Sequence, residues 1–407
     1  MNPTDASHQT STLEYSPTAP HVLEDPAAAY AELRSGCPVH LHHGLENPLY
    51  TLARTTDIIS VLSDAETWSN RQGPGITKSI SVGDVQRDDP PEHTHRRQFL
   101  RDPFLPSSLA KSAASIRTLA QQLATGLQPA GQCELHDEYA LALPVASFCS
   151  LLGVDIDDRA QFSHWADEMV AGMTYPERGA EGRRGINSFS RSQIELRRAM
   201  SARGEPLPEG FLSYLATAPY GEDGSPMDLK EATNTVSQFL VAGHETTTSL
   251  ITNLMWRLLE EPSRWAAVVG DPSLVEPAVE ESLRFDPPVL GLCRTNNAPV
   301  SMSGVDIPQD SKVMVLYAAP NRDPELFTNP DEFRLDRPLS ESRRHLSFSW
   351  GIHYCLGAGM ARLTARIAIQ TLAEHFPSMR LVGPSERVEA PFLWGRRLLP
   401  VVWDGGR

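Results

Sequence analysis

Apolar residues recur at intervals of three and four through Leu109–Leu127, Ala140–Leu152, Asp158–Met173, Ser188–Ala202 and Glu209–Ala216, and again along one long run from about Leu229 to Glu260. That spacing lines up one face of a helix with ~3.6 residues per turn, so each run predicts a helix. The flanks read differently. Pro26–Arg34 predicts a short helix, Leu49–Ala53 a strand, and Thr56–Leu62 a further helix. Between Gln72 and Asp89 the chain is rich in Gly, Ser and Asp, a long loop ahead of a helix starting near Pro90; loops of that length in a compact domain usually serve function. Val300–Ser303 and Lys312–Tyr317 predict strands among Pro- and Gly-rich turns, Leu356–His375 the last long helix, and the tail after it is strand-rich. The fold class expected is mainly α with a minor β portion. No repeat, low-complexity tract or linker breaks the pattern. Residues 1–22 are therefore expected to form a flexible N-terminal arm and residues 23–407 a single large domain.

Composition narrows the function. With 36 Lys+Arg against 51 Asp+Glu, the formal charge is −15, which argues against nucleic acid or an anionic membrane as a partner. The polar N-terminus has neither the basic flank nor the apolar core of a signal peptide, and no stretch reaches the ~18 apolar residues of a membrane span. A cytoplasmic protein is expected. Its five cysteines, Cys37, Cys133, Cys149, Cys293 and Cys355, are scattered without CxxC pairs, so neither a disulfide framework nor a structural zinc site is indicated.

Cys355 differs from the other four by its neighbours. It lies between Gly351 and Gly357 and directly precedes the helix expected from Leu356. Glycines let backbone pass close to a bulky group, and a helix N-terminus favours thiolate over thiol. A small buried cysteine and an anionic sulfur bound to a metal both satisfy this pattern. The whole segment Phe348-Ser-Trp-Gly-Ile-His-Tyr-Cys355-Leu-Gly resembles the heme-binding loop of the cytochrome P450 family, matching at Phe348, Gly351, His353, Cys355 and Gly357. It departs at Ser349, where the family usually has glycine. The resemblance implies that Cys355 is the thiolate ligand of heme iron, pushing electron density that favours O–O cleavage, and that His353 bonds a heme propionate. Trp350 is expected near the sulfur.

Three further segments carry the same resemblance. Within the long helix, Leu240-Val-Ala-Gly243-His-Glu245-Thr246 is locally poor helix, since Gly243 costs about 1 kcal/mol against Ala and a Thr246 hydroxyl can bond the Ala242 carbonyl and bend the turn. By itself this reads equally as a tolerated irregularity. Ala242, Gly243, Glu245 and Thr246 match the family's distal-helix motif, implying an O₂ site whose proton delivery Glu245 and Thr246 organise. Glu281 and Arg284 share a helix face as an ordinary i,i+3 pair would; the family's Glu-x-x-Arg motif sits here, and Arg337 matches the residue that completes it, implying a buried structural cluster. His93 and Arg97 lie four apart on a helix begun by proline, as on any solvated basic face. The family motif implies that they, with Arg294, contact heme propionates. His95 and Arg96 match nothing in it and are expected to face solvent.

The resemblance runs from about residue 25 to the end. It implies heme b, O₂ as co-substrate, and NAD(P)H electrons arriving through a ferredoxin and its reductase, since the chain has no flavin or iron–sulfur motif. Arg96, Arg343, Arg344 and Arg362 are the expected docking cluster for an acidic ferredoxin despite the net charge. By analogy the substrate pocket draws on Ile76, Met173, Leu240, Val241, Val289, Leu290, Phe392, Leu393 and Trp394, mostly apolar, and Lys78 is the one charge nearby. A neutral, medium-sized organic substrate is expected, hydroxylated or demethylated by a monomeric enzyme. Oxidative coupling without oxygen insertion is the alternative within the family, and a non-catalytic heme-thiolate sensor the alternative outside it. A sensor needs no proton relay, so Glu245 and Thr246 speak against it.

Overall fold

The longest periodic run forms one unbroken helix, Leu229–Glu260. Asp228 starts it by accepting from the backbone N–H groups of Lys230 and Glu231, two donors that a helix start leaves unpaired. Every residue from Thr247 to Met255 is buried, as suits a helix packed on all sides. Its neighbours are the helices Ala142–Leu152, Arg159–Ala171, Gly179–Ala202, Val275–Phe285 and Ala358–His375. The buried polar groups on it find backbone partners: Asn253 Nδ2 donates to Asp286 O at 3.1 Å and to Trp394 O at 2.9 Å. The structure is a computed structural model and describes residues 15–42, 48–80, 83–154, 159–171, 179–388 and 392–405. Met173 lies outside the described residues. Among them, no helix is long and apolar enough to cross a membrane.

The β portion is small. Its five-stranded sheet runs Val39–His42, Leu49–Leu52, Lys312–Val315, Leu292–Asn296, Trp68–Ser69. Leu49–Leu52 pairs parallel with Lys312–Val315, Leu49 opposite Lys312, and the other pairings are antiparallel. The tail supplies Arg380–Leu381 and Pro400–Val402, which close a three-stranded sheet with Gln132–Glu134. The two cores nearest the site are a cluster around Leu250, Leu254, Ile367 and Leu372 and a second around Leu100, Phe162, Phe211 and Leu240.

Three elements depart from the pattern read in the sequence. The helix expected from Ser188 begins at Gly179. Its first turns lack apolar spacing because glycine replaces it: a Cβ on Gly182 would come within 2.3 Å of Trp165 O, and one on Gly185 within 2.0 Å of Trp165 Nε1. Close backbone approach, not an apolar stripe, docks this end. The strand Leu292–Asn296 was not expected, since Arg294, Thr295 and Asn296 are buried at its centre and hide any alternation. The arm expected over residues 1–22 is docked from Tyr15 onward. Tyr15 is buried, edge-on to Tyr30 and His40, and Pro20–Glu24 is helical.

Candidate active site

The cysteine loop is a tight turn that hands the chain to the helix Ala358–His375. Ser349 N–H donates to Leu346 O, Tyr354 N–H to Gly351 O, and Cys355 N–H to Phe348 O at 2.9 Å. Gly351 has φ +72, and a Cβ there would sit 2.1 Å from Leu62 O, so only glycine fits. Ser349 stands at φ +64, the left-handed region that a glycine adopts freely and a serine does not. The family's preference for glycine at this position thus has a visible cause. Burial pushes the Cys355 thiol up, while the N–H groups of Gly357 and Ala358 and the guanidinium groups of Arg97 and Arg362 pull it back. Phe348 packs beside the loop with the Arg362 guanidinium 4.5 Å from its ring centre. Trp350, expected near the sulfur, is half exposed.

Four donor side chains meet on one side of this loop. The His93 ring, on the helix Glu92–Leu100, lies 4.2 Å from the His353 ring. Arg97 Nη2 donates to Tyr354 O at 2.5 Å. Arg294 bonds Cys293 O and, at 3.2 Å, the Tyr317 hydroxyl. Crowding shows in their acidities. Burial, then Arg294, His93 and Arg97, drives His353 down to about 2, and burial with Arg97 drives His93 to about 4. Among the described residues, neither ring nitrogen of His93 has a hydrogen-bond partner. Such a set is suited to anionic oxygen acceptors.

On the long helix, Thr246 Oγ1 donates to Ala242 O at 2.7 Å, the bond that its position predicts. Ala242 and Gly243 are exposed between buried Leu240 and His244, and a Cβ added at Gly243 meets nothing within 4 Å. Leu356, next to Cys355, packs on the same cluster as Leu240, so the loop and this helix approach each other. Glu245 is buried and accepts from Ser249 Oγ at 2.9 Å. Burial raises it to about 6 against the pull of His136 and Ser249. A propionate-type donor set, a cysteine residue exposed in its loop at Cys355 and open space beside Gly243 together fit a heme.

Glu281, Arg284 and Arg337 form one buried cluster. Arg284 binds Glu281 through Nε at 2.8 Å and Nη2 at 2.7 Å, Arg337 Nε adds 2.9 Å, and the remaining guanidinium N–H groups reach the carbonyls of Asn321, Thr328, Asn329, Pro330 and Glu332.

Elsewhere the structure corrects the sequence. Arg96 does not face solvent and is not a docking residue: it is buried, bound to Asp88 and to Glu231. Its partners come from a loop and a distant helix, which spacing cannot reveal. His95 is exposed and rests on the Tyr220 ring. Arg362 is tied to Glu280 and Arg343 to Glu276, while Arg344 donates to Leu326 O. Of the pocket residues, Ile76, Val241 and Val289 keep accessible surface. Leu240, Leu290, Phe392, Leu393 and Trp394 are buried, with Leu290, Phe392 and Trp394 packed beside Tyr30 and Leu33, and have little surface left to touch a ligand. Lys78 is neutralised by Asp310 at 2.6 Å.

Residues missed in the sequence complete the surroundings. Buried Lys312 donates to the carbonyls of Gln72 and Gly73 and anchors the long loop to the sheet. Glu280 binds Arg362 and His345 beneath the cysteine helix. His244 adjoins Glu245 and lies near Asp167. Only His244 and Glu280, each next to a motif residue, gave any signal.

Comparison with known proteins fits this geometry. The family profile described as Cytochrome P450 matches residues 272–388. The chain is 34% identical over 398 residues to the cytochrome P450 monooxygenase PikC of Streptomyces venezuelae, covering 94% of this chain and 92% of that one. It is 32% identical over 388 residues to the vitamin D(3) 25-hydroxylase of Pseudonocardia autotrophica, covering 93% and 94%. Among solved structures, P450BioI in complex with a hexadec-9Z-enoic acid-ligated acyl carrier protein superposes with a TM-score of 0.84 at 26% identity, over 94% of this chain and all of that one. The chain belongs to the cytochrome P450 family of heme-thiolate monooxygenases, which use O₂ and NAD(P)H electrons delivered by redox partners.

Proposed function

We propose that residues 23–407 act as one monomeric, ferredoxin-dependent monooxygenase that hydroxylates or demethylates a neutral, medium-sized organic molecule. Cys355 would hold the iron of heme b by its sulfur, and His93, Arg97, Arg294 and His353 its propionates. When bound, the heme supplies O₂ activation, with the thiolate favouring O–O cleavage. The chain's own residues do the rest. Glu245 carries this reading: it is a buried carboxyl held near 6, close to the operating pH of an acid that must give and regain protons. Thr246, one residue on, presents a hydroxyl fixed to Ala242 O. Together they deliver protons where Ala242 and Gly243 leave room. A carrier or sensor gains nothing from that pair.

The substrate is read from Ile76, Val241 and Val289, which are apolar and accessible, and from the pairing of Lys78 with Asp310, which leaves that lysine little pull on an anion. Relatives whose names include a monooxygenase and a vitamin D(3) hydroxylase support oxygen insertion. An acidic ferredoxin docks beside the half-exposed Trp350 and the exposed Arg343 and Arg344. Two measurements test this. The reduced protein with carbon monoxide must show the thiolate-type Soret band; a histidine-type band removes Cys355 as ligand. Turnover under labelled O₂ must put one labelled oxygen in the product; a coupled or cyclised product without label removes the insertion reaction.

A further inference from the structure

Beside Thr246, the long helix presents a polar group that oxygen chemistry alone does not explain. His244 Nδ1 lies 3.9 Å from Asp167 Oδ1 on the helix Arg159–Ala171. One ligand atom each from Asp167, His244 and Glu245 lies within 4.8 Å of the other two. His244 is 1% exposed, and among the described residues neither ring nitrogen has a hydrogen-bond partner. A buried polar atom left unpaired costs about 1–3 kcal/mol, so an imidazole aimed at two carboxylates without bonding either is a donor set short of one member.

Neutral imidazole and ionised carboxylate are the forms that bind metal.

We propose that Asp167, His244 and Glu245 bind a divalent transition-metal ion, with Zn²⁺ the best match and water in the fourth position. One nitrogen, two carboxylate oxygens and an open position suit zinc, whereas calcium takes six or more oxygens and magnesium a near-ideal octahedron. Bond lengths of about 2.0–2.2 Å put tetrahedral ligands about 3.3 Å apart, so the three groups close by about an ångström. The Asp167 side chain, 53% exposed, is the arm free to move and the route by which the ion enters from solvent. A bound ion ties Glu245 to the neighbouring helix and withdraws it from proton delivery. That consequence rests on the role proposed for Glu245, whereas the site does not.

The test is calorimetric titration of chelator-stripped holoenzyme with Zn²⁺ alone. One ion binds the parent, and Asp167→Asn and His244→Gln each weaken it by about tenfold or more, the scale on which losses around a metal site act. Glu134→Gln, which takes a carboxylate from the other cluster of this kind among the described residues, Glu134, His136 and Asp137, leaves affinity unchanged. A zinc-soaked crystal shows an anomalous peak between the helices Arg159–Ala171 and Leu229–Glu260. If buried His244→Gln does not fold, surface Asp167→Asn and the crystal decide. Absence of binding at millimolar zinc, equal affinity in Asp167→Asn, or a peak only at Glu134 overturns the site. Zinc bound at the site with unchanged coupling of NAD(P)H to product leaves the site standing and removes the assigned role of Glu245.

Discussion

Glu281 and Glu245 are both buried carboxylates on helices, and the protein surrounds them in opposite ways. Glu281 accepts from Arg284 through two nitrogens, from Arg337 Nε, and from the backbone N–H of Arg334. Among the described residues, Glu245 accepts from one hydroxyl, that of Ser249, next to a histidine whose nitrogens bond none of them. A saturated carboxylate has no capacity left for chemistry, and its whole effect is to hold the parts in place. An undersupplied one costs stability and keeps its proton exchangeable. The contrast separates the scaffold carboxylate from the one proposed to carry protons without appeal to sequence similarity.

The comparison breaks most visibly at Glu245. Replacing it with Gln keeps the shape and removes the titrating proton. Productive turnover is expected to fall by about 10²–10⁴, the range for general acid–base groups, while NAD(P)H is still consumed. Product and NAD(P)H measured together give the coupling, and a fully coupled Glu245→Gln enzyme refutes the assignment. At the scaffold the loss is of stability instead. Arg284→Met strands Glu281 in the core, and breaking a buried pair from one side costs about 3–5 kcal/mol. Denaturant unfolding and retained heme measure it; a loss under 1 kcal/mol would mean that the cluster is not what holds this region.

A third carboxylate sharpens the contrast through pH. Burial alone would raise Glu280, yet bonds from His345 and Arg362 hold it down to about 2. A folded pKa below the unfolded 4.5 gives stability that is present above pH 4.5 and lost as pH falls toward 2, about 3 kcal/mol in all. Glu245 has the opposite sign. Its folded value near 6 exceeds 4.5, so the native state binds more protons in that window and stability drops as pH rises from 4.5 to 6, by about 2 kcal/mol. Unfolding free energies across pH 3–7 are therefore expected to show Glu280→Gln destabilised at neutral pH and Glu245→Gln stabilised there. Matching signs for the two variants would refute the pairing described for one of them.

What the sequence disclosed follows the same division. Cys355, His353, Glu281 and Thr246 stood out because each belongs to a short segment that resembles a cytochrome P450 motif, whereas spacing and local backbone alone left a plainer reading open for each. Helices were legible wherever an apolar stripe docks them, and the start at Gly179 was not, because glycine contact with Trp165 replaces the stripe. Arg96 was misread because burial depends on Asp88 and Glu231, and Asp167 was missed because only helix packing brings it to His244. Contacts between segments leave no period in either one.

The smallest expected effect lies in the cysteine loop, where a saturated backbone turn contains one misfit. Ser349 has φ +64 and a buried hydroxyl without a hydrogen-bond partner among the described residues, while its N–H is bonded to Leu346 O at 2.8 Å. An L-residue pays about 1–2 kcal/mol for the left-handed region and glycine does not, but glycine also has more entropy to lose on folding, about 0.5–1 kcal/mol. Ser349→Gly is therefore expected to stabilise by about 1 kcal/mol or less, with the carbon monoxide spectrum of the reduced protein unchanged because Cys355 N–H still bonds Phe348 O. Equilibrium unfolding of the paired proteins measures the first, and the Soret position the second. A destabilised Ser349→Gly protein would mean that the serine hydroxyl earns its place in the folded loop, and a shifted Soret band that it acts on the sulfur.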